Sequence, residues 1–119
     1  MEKKLRYEKR PWGDYQVLHE ESESGFQVKR ITVLAGHRLS LQSHARRSEI
    51  WTIVSGQAEA TVGEKVHVLK PGDMIKIERG AKHRMANPGT VDLIFVEVQL
   101  GEYLGEDDIK RFEDDYQRE

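Results

Sequence analysis

Gln42 and His44 stand two positions apart in a segment of strand character, so their side chains leave the same face, and Glu49 follows after a four-residue connection. His83 opens another short run just past the turn Arg79-Gly80-Ala81-Lys82. Two imidazoles, a carboxylate and an amide oxygen make a nitrogen and oxygen donor set. Such a set suits one divalent ion of zinc, manganese, iron, cobalt or nickel, and it leaves coordination positions open to a ligand. Taken singly, each residue is more often a hydrogen-bonded or surface group than a ligand. The metal reading rests on the four together.

Arg47 lies beside these ligands, and its guanidinium fork suits a phosphate or an oxyanion. A general base is sought among Lys29, Glu97 and Lys82. Lys29 and Arg30 point to opposite faces of their strand, so at most one of them meets a ligand. From Leu93 to Leu100 the cleaner apolar face is Ile94, Val96, Val98 and Leu100, with Glu97 opposite. Parity alone does not choose the inward face, because barrel interiors near a site are often polar.

Positioning these groups takes a framework of short strands. The runs Tyr15–His19, Phe26–Leu34, Arg38–His44, Glu49–Ser55, Ala58–Val62, Lys65–Leu69, Met74–Ile77, His83–Asn87 and Val91–Leu100 are all strand length, and most are rich in β-branched residues. Turn signals separate them, among them Ala35-Gly36, Gly56-Gln57, Gly63-Glu64 and Pro71-Gly72-Asp73. This pattern predicts an all-β antiparallel sandwich or barrel. In the tail, Ile109, Phe112 and Tyr116 fall at helical spacing, and Glu106-Asp107-Asp108 would favour the start of a helix dipole. A short C-terminal helix is therefore predicted within 101–119, its acidic cluster read as a solvated helix start rather than a hard-cation site. Trp12, Trp51 and Phe26 read as core or subunit contacts rather than sugar-stacking platforms.

A chain of 119 residues accommodates one core, so positions 1–119 read as a single domain, with a charged start over 1–9 that is expected to fray. With 34% charged and 37% hydrophobic residues and a mean hydropathy of -0.71, that core is thin, and a homodimer is expected. The net charge of -2 and a pI near 6.2 provide no global field for nucleic acid or an anionic membrane. The absence of cysteine excludes disulfides, thiolate ligands and cysteine nucleophiles. The start is too charged for a signal-peptide core and no run of 18 apolar residues occurs, so a cytoplasmic protein is expected.

Two longer patterns carry a family resemblance. Gly36-x5-Gln42-x-His44-x4-Glu49-x6-Gly56 resembles the first cupin motif, with Gln42 where a histidine usually stands. Gly72-x7-Gly80-x2-His83-x3-Asn87 resembles the second, with Glu78 where a proline is usual. From Arg10 onward, Arg10-Pro-Trp-Gly-x-Tyr15, Val28-Lys-Arg-Ile-Thr-Val33, Asn87-Pro-Gly89 and Gly101-x-Tyr-Leu-Gly-Glu-Asp-Asp-Ile109 are similar to the C-terminal domain of type II phosphomannose isomerases. The resemblance implies a double-stranded β-helix, or jelly-roll, barrel and interconversion of mannose 6-phosphate and fructose 6-phosphate. It implies Gln42, His44, Glu49 and His83 as metal ligands and Arg47 as a residue tied to catalysis. Family members often carry this domain behind a guanylyltransferase; no Gly-rich nucleotide loop occurs in this sequence, so guanylyl transfer is not expected. The chain departs from the family pattern at Arg46 and Ile50, where histidines are usual. Other readings of the same residues are a metal-holding sugar-phosphate binder without turnover, an iron-dependent cupin oxygenase, and a metal-free sugar-binding or epimerase-like barrel.

Overall fold

The computed structural model describes residues 5–21 and 23–117. They form eleven strands: β1 (Tyr7–Arg10), β2 (Gly13–Glu21), β3 (Phe26–Val33), β4 (Leu41–Ser43), β5 (Arg47–Ser55), β6 (Ala58–Val62), β7 (Lys65–Leu69), β8 (Met74–Ile77), β9 (His83–Ala86), β10 (Leu93–Gly101) and β11 (Lys110–Glu113). A six-stranded sheet runs β1-β2-β3-β10-β5-β8 and a five-stranded sheet β11-β4-β9-β6-β7, every pairing antiparallel. The two sheets pack face to face, with Trp51 of one against the His83 ring of the other at 5.5 Å between centroids.

Inward-facing residues change character along each central strand. In β3 the inward face reads Val33, Ile31, Lys29, Gln27; in β10, Leu93, Phe95, Glu97, Gln99; in β5, Ile53, Trp51, Glu49, Arg47. Register lines these changes up. Phe95 pairs with Ile31 and Ile53, Glu97 with Lys29 and Trp51, and Gln99 with Gln27 and Glu49. One half of the interior is thus an apolar core, closed from the other sheet by Ala58, Ala60 and Met85, and the other half is a buried polar chamber. Burying Trp51 and Phe95 removes the largest apolar surfaces from water, and each ring stabilises the fold by several kcal/mol, about 3–5 by the usual cost of truncation to alanine. This core supports the desolvation of the charged groups above it.

The predicted runs Ala58–Val62, Lys65–Leu69 and Met74–Ile77 are strands with those bounds. Arg38–His44 contracts to Leu41–Ser43, and the backbone of Arg38 makes an isolated bridge to Ala86. Residues 7–10 of the charged start form β1 and pair with β2, whereas positions 1–4 lie outside the described residues. Gly13 is required where β2 begins: its φ is +154°, and a Cβ there would lie 1.9 Å from the Thr32 carbonyl oxygen.

The predicted C-terminal helix is absent among the described residues. Residues 110–113 instead form β11, which pairs antiparallel with β4. A helix of that length is marginal in water, whereas the short edge strand β4 offers backbone partners to the tail. Tyr116 then packs partly on the core, and its hydroxyl meets His37 Nδ1 at 2.6 Å. The helical spacing of Ile109, Phe112 and Tyr116 is a coincidence of loop and strand. Among the described residues no helix is long and apolar enough to cross a membrane.

Candidate metal centre

The polar chamber is built around two histidines whose outer nitrogens are already committed. His44 Nδ1 lies 2.7 Å from the Asp108 carbonyl oxygen and His83 Nδ1 lies 2.9 Å from that of Ala81. A carbonyl only accepts, so each Nδ1 carries a proton and each ring turns Nε2 toward the chamber. Burial, followed by the charge of Arg47, pushes the His44 pKa down to about 4, so that ring is neutral at ordinary pH.

Both Nε2 atoms face Glu49, at 3.3 Å from Oε2 for His44 and 3.8 Å from Oε1 for His83. Burial, the largest influence, would raise the Glu49 carboxyl, but the charge and hydrogen bond of Arg47 together with its other neighbours hold this group below the usual carboxylate range. A carboxylate has no proton to give either ring. His83 Nε2 is buried with no hydrogen-bond partner, and ligand atoms of His44, Glu49 and His83 lie within 4.8 Å of one another. Three converging groups form an arrangement that a cation completes, and the Asp108 and Ala81 carbonyls, by holding each Nδ1–H, keep Nε2 as the ligating nitrogen. The residues therefore fit a divalent ion. Gln42, opposite His83 in register, lines the same chamber.

Around this triad the charged groups are tightly partnered. Arg47 donates Nε–H to Glu49 Oε2 at 2.9 Å and approaches His44 Nε2 through Nη2 at 3.3 Å. The Trp51 indole N–H is shared between Glu49 Oε1 at 3.0 Å and Glu97 Oε1 at 3.1 Å. Gln99 donates to the other Glu97 oxygen at 2.5 Å. Burial first, then the charge of Glu49, raises the Glu97 pKa to about 7, against the pull of Lys29 and Arg47. Lys29, almost fully buried, bonds Glu106 at 2.6 Å and sits 4.2 Å above the Tyr15 ring centre.

Of the residues picked from the sequence, His44, Glu49 and His83 converge, and Gln42, Arg47, Lys29 and Glu97 line the same cavity. Lys82 does not: it is exposed, with its ammonium 4.3 Å from the Phe112 ring centre. The inward face of β10 is the polar one, so Ile94, Val96 and Val98 lie on the outer surface of the sheet. Arg46 and Ile50, the two departures from the family pattern, also lie off the cavity. Arg46 stacks over Tyr103 at 4.7 Å, and Ile50 is on the outer face of β5. Sequence reasoning missed Glu106 and Asp108. Their acidic run reads as solvated, yet Glu106 lines the cavity, and the Asp108 carboxylate accepts the Ala45 and Arg46 N–H groups at 3.0 Å each while its carbonyl orients His44.

Comparison with known proteins gives the family and the fold. Residues 2–114 match the family model described as mannose-6-phosphate isomerase C-terminal. The chain is 52% identical over 109 residues to the xanthan biosynthesis protein XanB of Xanthomonas campestris, 49% to the alginate biosynthesis protein AlgA of Pseudomonas aeruginosa, and 45% to the mannose-1-phosphate guanylyltransferase ManC of Salmonella typhimurium. Each match covers 92% of this chain but only 22–23% of the relative, so the chain spans under a quarter of the length of these curated relatives. Among solved structures, a double-stranded β-helix protein from Klebsiella pneumoniae superposes with a TM-score of 0.71 at 27% identity, covering 82% of each chain. A cupin-2 domain from Rhodospirillum rubrum gives 0.72 at 20% identity, over 87% of this chain and 78% of that one. The fold is that of a cupin.

Proposed function

The chain belongs to the mannose-6-phosphate isomerase C-terminal family, and we propose that it is a metal-dependent isomerase module that interconverts mannose 6-phosphate and fructose 6-phosphate. The observation that carries this reading is the convergence of two Nε2 atoms and an ionised carboxylate in a chamber that also holds Arg47, Lys29 and Glu97. Aldose–ketose isomerisation moves a proton between C2 and C1 and develops negative charge on the neighbouring oxygens. A divalent ion held by His44, Glu49, His83 and Gln42 supplies Lewis acidity for that charge.

The chain's own groups do the rest. Glu97 takes and returns the proton, since a carboxyl at about 7 is matched to neutral pH and the Trp51 and Gln99 donors hold it in place. Arg47 and Lys29 supply positive charge for the developing oxyanion and the phosphate. The apolar half of the barrel excludes water from one side of the chamber. Loss of the family histidines at positions 46 and 50 removes nothing from the cavity, because both positions point away from it. A second reading, a sugar-phosphate binder without turnover, is favoured by the Lys29–Glu106 pair, which commits the buried ammonium to the protein itself.

The experiment is metal analysis and a mannose 6-phosphate assay on chelated protein with single divalent ions restored, run beside Glu49→Gln. One ion per chain with turnover that the variant loses supports the isomerase. One ion per chain without turnover moves the reading to the binder, and no ion removes the centre.

A further inference from the structure

We infer that Arg47 is the internal competitor of the metal: its guanidinium engages the lone pairs a divalent ion must take, so loading the centre expels it and frees its fork for an anion. The inference rests on the metal centre proposed above. Arg47 Nε–H is spent on Glu49 Oε2 and Nη2 on His44 Nε2, and both acceptors belong to the ligand set. A neutral imidazole has one lone pair at Nε2. It cannot serve an N–H donor and a metal at the same time.

The arrangement is also an imperfect one for the arginine. Arg47 is 5% exposed, and its Nη1 is buried with no acceptor, just as His83 Nε2 is buried with no donor. The guanidinium satisfies two of the three ligand residues and leaves the third orphaned, whereas an ion reaches all three. Once an ion is seated, a guanidinium within hydrogen-bonding distance of the same oxygen is a like charge and is repelled. Arg47 has other acceptors within its field, the carboxylates of Glu97 and Glu106. It opens β5 at the wall of the cavity, beside the space where a ligand anion would lie.

Metal affinity is therefore set below what the ligands alone provide. By linkage, an anion that captures the freed fork tightens metal binding by the same factor that the metal tightens the anion. The test is calorimetric titration of zinc into chelated wild type and Arg47→Met, which keeps the apolar stem and removes the charge. The expected result is zinc affinity higher in Arg47→Met by on the order of tenfold or more; equal or lower affinity overturns the inference. Because Arg47→Met leaves Glu49 without its partner and risks the fold, a second measurement uses the wild type alone. With arginine side chains labelled by nitrogen-15, the Arg47 Nε–H signal is protected from solvent before zinc. It must shift or lose that protection as zinc saturates; a signal unchanged with one zinc bound overturns the inference while leaving the centre intact. A wild type that binds no zinc overturns both.

Discussion

Each histidine of the centre is prepared as a ligand by what its other nitrogen bonds. Because both Nδ1–H groups go to backbone carbonyls, no side-chain substitution can redirect them, and the ligand geometry is a property of the loops at Asp108 and Ala81. Glu49 is the one charged ligand. Glu49→Gln is expected to weaken metal binding by about 100-fold or more, read by titration against a chelating dye. Glu97→Gln is expected to keep one ion per chain and to lower turnover by about 10²–10⁴-fold, read by metal analysis and rate on the same sample. If Glu97→Gln turned over normally, the base would lie elsewhere. His44, Glu49 and His83 were legible in the sequence because they fall inside two glycine-framed patterns, Gly36 to Gly56 and Gly72 to Asn87, although His44 follows β4 and Glu49 lies within β5 rather than opening it. Glu97 was a candidate whose facing could not be read, since the outer face of β10 is the more apolar one. Glu106 and Asp108 escaped because a run of three acids carries no sign of the buried Lys29 it meets 77 residues away.

The tail shows how tertiary partners override local spacing. β11 forms because β4 lacks a second neighbour without it, and it carries Glu113 to Arg84 at 3.2 Å and Asp115 to Arg38 at 2.8 Å. The segment between β10 and β11 seats Glu106 on Lys29. Burial alone would raise the Glu106 carboxyl, but Lys29, with Arg47 and Arg6, holds it below its ordinary 4.5. A lowered folded pKa contributes stability that is fully present above about pH 4.5 and is lost as pH falls through the folded value. The melting-temperature gap between wild type and Glu106→Gln is therefore expected to be widest at neutral pH and to close in acid; a gap independent of pH would show that this pair does not titrate as described. At the other end of the sheet, Gly13→Ala forces a methyl into the Thr32 carbonyl and should cost at least about 1–3 kcal/mol in denaturant unfolding. Strands β2 to β10 were legible as runs between turn residues, whereas β1 and β11 are polar edge strands that exist only because a neighbour pairs with them.

Across the whole molecule, one gradient organises the barrel: apolar at one end, charged at the other, in register over three adjacent strands. That division explains how a chain with a thin core keeps Lys29, Arg47, Glu49 and Glu97 all nearly buried. Such a cluster is costly unless it is paired, and perturbed groups of this kind mark functional sites. The outer face of the six-stranded sheet carries Ile50, Val54, Ile94, Val96 and Val98. The homodimer expected from composition would use this face, so Val96→Lys should sediment as a monomer at micromolar concentration where wild type sediments as a dimer; a wild-type monomer ends that expectation. Catalysis at the metal centre is tested by following mannose 6-phosphate by NMR in deuterated water with the metal-loaded chain. Fructose 6-phosphate is expected to form only while one ion per chain is bound, with deuterium at C1 to the extent that the proton on Glu97 exchanges with solvent. Stoichiometric metal with unchanged mannose 6-phosphate would contradict catalysis at this centre.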